Sequence, residues 1–167
     1  MLTLWAAVVA ERLGFNWEEA LTLGRAVAGL NAYSKGKALG LFEPTPEAVA
    51  EKRAQLRRHQ GAVSIDLLHR KIPAIHTDAG IRALQRDQPT NPASVMNYLE
   101  RAFGDALDDA RKAMALLAGA LEPRELAATA YHLYEEFRPP IPSGVRGWGA
   151  KGRLDLDQIR AMTSAAK

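Results

Sequence analysis

The chain contains no cysteine, which excludes disulfides, thiol catalysis and cysteine-based zinc sites. It is also poor in β-branched and aromatic residues. Alanine and leucine dominate instead, and both lose little on entering a helix. Signature sequences for catalysis are missing: there is no Gly-x-Ser-x-Gly, no phosphate-binding Gly-x4-Gly-Lys-Ser/Thr and no dinucleotide fingerprint after a strand. No cofactor is indicated. The apolar start, Leu2–Ala10, has no basic residues before it and is closed by Glu11 and Arg12. That is far short of the ~20 residues needed to cross a bilayer, so it reads as a buried helix of a soluble, cytoplasmic protein.

What remains is ordinary globular composition, 47% apolar and 25% charged, in 167 residues, enough for one domain or one domain with an appendage. The net charge of +3 is unevenly laid out. Residues 35–86 carry ten basic against five acidic side chains, 87–137 carry four against nine, and 138–167 carry six against two. A basic middle is followed by an acidic segment and a basic tail.

Helical punctuation is clear. A first helix, 2–13, ends before Gly14. Asn16-Trp-Glu-Glu19 has capping-box spacing and opens a second helix to about Ser34, with Gly24, Ala28, Gly29 and Ala32 making one side small. Gly36 and Gly40 mark a loop. Thr45 as N-cap and Pro46 in the first turn open a third helix ending near Gln60. Val63, Ile65 and Leu67 then alternate with polar residues as in a half-buried strand, although 63–70 also fits a helical turn. Ile72–Thr77 and Ile81–Leu84 flank Gly80 as a hairpin, with Pro73 confining its strand to a sheet edge.

Gln88–Pro92 reads as a linker, with Asn91 capping and Pro92 opening a new helix. Met96, Leu99, Phe103, Ala106, Ala110, Ala113, Leu117 and Ala120 form a heptad-like stripe, bent or divided at Gly104. Pro123 opens a further helix to Phe137, which predicts a helical hairpin over 91–138. Residues 139–167 form a tail with a Gly-rich loop around Trp148 and a short helix capped by Asp155 or Asp157. The loop either holds an anion with Arg146, Lys151 and Arg153 or plugs a groove with Trp148.

Ala10, Gly14 and Ala20 resemble the packing positions of a helix-turn-helix motif. Three helices followed by a hairpin over residues 1–86 resemble the element order of a winged-helix domain. That resemblance implies a third helix in the major groove and a hairpin touching the backbone. Lys52, Arg53, Arg57 and Arg58 on the third helix, with Arg70 and Lys71 in the hairpin, would then meet phosphates. The acidic Trp17-Glu18-Glu19 start makes the second helix a poor groove reader, and the third has no asparagine to read base edges.

The expectation is therefore a mostly α protein with a winged-helix-like N-terminal part, one small hairpin, a helical hairpin that could form a homodimer, and a docked tail. Nucleic-acid binding is the favoured function. The alternative is a helical protein–protein interaction module, and a third option is an enzyme or small-ligand binder. A metal site would need His69 and His76 to converge. His132 beside Glu136 reads as a surface pair.

Overall fold

The structure, a computed structural model, describes residues 1–140 and 154–167. The loop around Trp148 lies outside the described residues, so its expected roles find no structural counterpart here.

The chain is mostly helical with one small antiparallel sheet. Helix α1 (Leu2–Arg12) is buried from Leu2 to Ala10. A helix apolar on every side must be covered on every side, and α1 packs on three later helices. It ends in a Schellman turn: Phe15 N–H donates to Ala10 O, and Gly14 takes φ +112°. Helix α2 (Trp17–Ala38) opens on the expected capping box, in which Asn16 and Glu19 bond each other's backbone N–H.

The small side of α2 allows close approach at Gly24, where an added Cβ would sit 2.5 Å from Thr3 O and 2.8 Å from Ala7 N. Helix α2 runs beyond Ser34, and Gly36 is a buried helical residue covered by the Phe42 ring rather than a loop marker. Gly40, with φ +70°, is where the chain turns. Helix α3 (Glu47–His59) has Pro46 as its N-cap. Thr45, expected to cap it, has its hydroxyl 3.3 Å from the Tyr33 hydroxyl instead.

Four strands follow: β1 (Val63–Leu67), β2 (Arg70–Thr77), β3 (Gly80–Gln85) and β4 (Gln88–Pro89), in the order β1-β2-β3-β4. The 63–67 segment is thus a strand, and the expected hairpin is the middle of a four-stranded meander. Pro73 lies in an interior strand, which differs from the edge position expected. The strand is shared lengthwise: β1 pairs with 70–74 and β3 with 74–77. At Pro73 only the β1 side is paired, which is how the sheet accommodates a residue with no N–H. The β1–β2 turn sits on Leu68 and His69 (φ 47° and 58°), and the β3–β4 turn on Arg86 and Asp87 (φ 49° and 63°). Positive φ at both central residues is the type I′ geometry that suits the strand twist.

Helices α4 (Pro92–Phe103), α5 (Leu107–Gly119), α6 (Pro123–Phe137) and α7 (Leu156–Ala165) complete the chain, with a 3-10 turn at Gly104–Ala106 dividing the heptad-like stripe. Asp155 caps α7 through its side chain. The expected helical hairpin is not the main packing unit. Helix α6 lies chiefly against α1, and α5 packs on α1 and α7 alike. The reason is chemical: α1 has no polar face to leave in water, so it sits between them. One continuous buried cluster runs from Leu2 to Ile159, joining the parts expected at 1–86, 91–138 and the tail.

Two features depart from the helix-turn-helix resemblance. The start of α2 faces the sheet, with Glu18 bound to Arg82 at 2.7 Å and Glu19 accepting from Ile81 N–H. Helix α3 buries none of its residues, whereas a trihelical core needs all three helices to contribute. Its sequence explains this, since Val49 and Leu56 are its large apolar residues and both are exposed. Among the described residues no helix is long and apolar enough to cross a membrane.

Candidate nucleic-acid interface

The six basic residues singled out from sequence are not gathered onto one face. On a helix of 3.6 residues per turn, Lys52 points about 140° away from Arg57, whereas Arg53 lies one turn before it on the same side. Arg57 is half-buried towards the sheet, where its Nε lies 2.5 Å from Asp87 Oδ1. Lys52, Arg53 and Arg58 are exposed, and the Arg58 Nε donates back to Ala54 O at 3.4 Å.

Arg70 and Lys71 are adjacent on β2 and so project to opposite faces of the sheet. Arg70 is an internal strut: its guanidinium donates to Ser34 Oγ (3.1 Å) and Asn31 Oδ1 (3.2 Å). The Tyr131 hydroxyl donates to the same Asn31 oxygen at 3.1 Å, so β2, α2 and α6 meet at one buried amide. Lys71 is exposed.

Arg57 and Lys71 come together at a cleft of about 830 Å³ between α2, α3, the sheet and the tyrosines of α4 and α6. Two further cations line it, Arg25 from α2 and Arg86 from the β3–β4 turn. Among the described residues no carboxylate does, although Asp87 pairs with the lining Arg57. The left-handed turn at Arg86-Asp87 positions both members of this arrangement, and aspartate tolerates that conformation better than most residues.

Three tyrosines line the same cleft: Tyr33, Tyr98 and Tyr134. The Arg25 guanidinium carbon lies 4.6 Å from the centre of the Tyr98 ring, a cation–π contact. Tyr33 stacks on Phe42 with centroids 6.2 Å apart and planes 15° from parallel. Burial, then the neighbouring Tyr131 and Tyr98, pushes the Tyr134 phenol above its ordinary value, while Arg138 pulls it the other way. Gly29, with nothing among the described residues within 4 Å of where a Cβ would stand, leaves the α2 wall open there.

The cleft residues Arg25, Arg86, Tyr98 and Tyr134 escape sequence reasoning because they come from four elements with no shared spacing. The turn at Arg86-Asp87 carries no glycine to announce it.

The histidines do not converge. His69 sits at the β1–β2 turn with its Nε2 3.2 Å from Ala128 O, and His76 lies towards the other end of β2. Six residues of extended strand, 70–75, lie between them, or about 20 Å. His132 pairs with Glu136 at 3.0 Å on the surface of α6, as its spacing suggested. A smaller hollow beside α1 brings Asp66, His69 and Lys71 to its lining.

Comparison with protein-family models, with curated proteins and with solved structures gives no match to this chain, so its chemistry has to be read from the cleft itself.

Proposed function

We propose that the protein binds nucleic acid, with the sugar-phosphate backbone held at the cleft between α2, α3 and the sheet. The observation that carries this reading is the composition of the cleft lining, which among the described residues has four cationic side chains, three tyrosines and no carboxylate. Arg57 and Lys71 keep the role expected from sequence, and Arg25 and Arg86 join them. Lys52, Arg53 and Arg58 extend the positive surface along exposed α3, while Arg70 is better explained as a strut. The winged-helix mode, with α3 in the major groove, is the finer version of this reading and has less support, because α3 has no packed base to brace it.

Each phosphate neutralised releases counterions, so four cleft contacts should give a slope of about −3 in log K against log salt. The test is fluorescence anisotropy with mixed-sequence labelled oligonucleotides over a salt titration, repeated with Arg57→Glu combined with Lys71→Glu. Salt-independent binding, or a charge-reversed variant that binds as the parent does, defeats the proposal.

A second reading, a protein–protein interaction module, is favoured by one observation. Leu39, Leu41, Phe42, Val49 and Leu56 are all exposed on the segment joining α2 to α3 and on α3 itself. That arm offers more apolar surface than the acidic bundle once expected to dimerise, where Leu116 is the large exposed apolar residue. A mass that stays monomeric over a wide concentration range, with no co-purifying partner, counts against it.

A further inference from the structure

Resting on the nucleic-acid reading of the cleft, we infer that the strand it takes is single, with unstacked bases lying on the cleft tyrosines. The cleft volume, about 830 Å³, is that of a small-ligand pocket, and a duplex is too broad to enter a space of that size. A duplex presents phosphates and base edges to a protein and keeps its base faces stacked inside. Flat rings half-buried in a cleft therefore have nothing to meet on a duplex. An unpaired strand brings both of the required parts, a flexible backbone for cations and exposed base faces for aromatic rings.

The placement of groups agrees with this division. Arg25 already lies over the Tyr98 ring, so a cation and an aromatic ring share one wall, and a guanidinium adds cation–π attraction for a base. Tyr33, more exposed, stacks on Phe42, and Phe42 in turn is seated on Gly36, where a side chain would displace it. Lys71 and Arg86 come from the sheet and Arg57 from α3, so two elements bring cations to the ring-lined space. The open α2 wall at Gly29 lets a backbone pass close to the helix. Tyrosines have a face for every base, so recognition here is tolerant of sequence.

The test compares a labelled thymidine oligonucleotide of about 10 nucleotides, within the span such grooves cover, with a duplex of the same length. Free thymidine monophosphate serves as a competitor. The expected result is single-strand binding at least about tenfold tighter than duplex binding, with the mononucleotide a poor competitor. Tyr98→Leu, which keeps bulk but loses the aromatic face, should weaken single-strand binding about tenfold, and Tyr98→Phe should restore it. An unchanged thermal melting curve for both variants separates lost stacking from lost folding.

Duplex binding equal to or tighter than single-strand binding overturns the inference and leaves the broader nucleic-acid reading standing. Competition by the mononucleotide as effective as by the oligonucleotide also overturns it, in favour of a small-molecule site. Binding of neither nucleic acid removes both readings together.

Discussion

One carboxylate oxygen of Glu19 accepts from the backbone N–H of Ile81 at 2.9 Å, while the other completes the capping box on Asn16 at 3.0 Å. A helix cap and a sheet anchor are therefore the same side chain. Glu19 and Gly80 are also close, since a Cβ on Gly80 would stand 2.5 Å from Glu19 Oε1 and the residue has φ +105°.

Glu19→Ala should lower stability by about 1–2 kcal/mol, because it removes a cap and leaves the Ile81 N–H without its acceptor. Gly80→Ala should cost about 1–3 kcal/mol through its backbone conformation and the clash. In the double variant the clash is gone, so the two costs should fall short of additive by at least about 0.5 kcal/mol. Urea unfolding of the four proteins gives the cycle, and strict additivity would show that the contact is unimportant.

Gly24→Ala and Gly29→Ala test the small side of α2 at two points with opposite expectations. At Gly24 the obstacles are Thr3 O and Ala7 N, both backbone atoms of a buried helix that cannot move aside, so a loss of about 1–3 kcal/mol is expected. At Gly29 none of the described residues stands in the way, and the better helix former should add up to about 1 kcal/mol. Equal effects at the two sites, by thermal or urea unfolding, would refute the packing described.

Asp87→Asn addresses the cleft directly. Asp87 holds Arg57 in an ion pair that is partly exposed and so worth at most about 1 kcal/mol to the fold. Freeing Arg57 and removing a rim anion should tighten nucleic-acid binding several-fold with little change in unfolding midpoint. Weaker binding by Asp87→Asn in the anisotropy assay would mean that Arg57 needs its partner to be placed correctly.

Tyr134 sets an expectation for alkaline pH. Its folded pKa is raised above the ordinary value of 10.0, chiefly by burial. Above that value the unfolded chain has released the phenolic proton that the folded protein still holds. Unfolding then releases a proton, and stability falls as pH rises from 10.0 towards the folded value. Lys35 works in the other sense: burial lowers it from 10.5, with Arg138 adding to the effect and Glu135 opposing it, so its contribution to stability grows as pH approaches 10.5. Tyr134→Phe should flatten the alkaline fall in urea-unfolding stability, and an unaltered pH profile would contradict it.

The helices were legible because their ends are written locally. Asn16 with Glu19, Asn91 with Pro92, and Asp155 all act within one turn, and the structure places each where its spacing indicates. Strand 63–67 was legible as a short alternation, although 63–70 also fitted a helical turn, and the second strand was legible from Ile72 to Thr77 through the turn at Gly80, while its start at Arg70 was not. The sheet as a whole was not, because its outer turns rest on Leu68-His69 and Arg86-Asp87, which lack the glycine or asparagine that usually signals such geometry. Packing partners were less visible still. Nothing in the stripe of α5 or the inward residues of α6 says that α1 comes between them, since an apolar face specifies burial and not its neighbour. Of the six basic residues, Arg57 and Lys71 reach the cleft. Arg70 differs because Asn31, Ser34 and Tyr131, distant in sequence, surround it.

Helix α3, with 13 residues and none of them buried, is about as long as an isolated helix must be to survive at all in water. Its amides should therefore exchange with solvent deuterium through small, local openings. Those of α1, enclosed from Leu2 to Ala10, should exchange only when the whole molecule unfolds. Exchange measured with and without oligonucleotide would then act as a footprint: a ligand seated between α3 and the sheet slows the α3 amides most, long before any change in global stability is measurable.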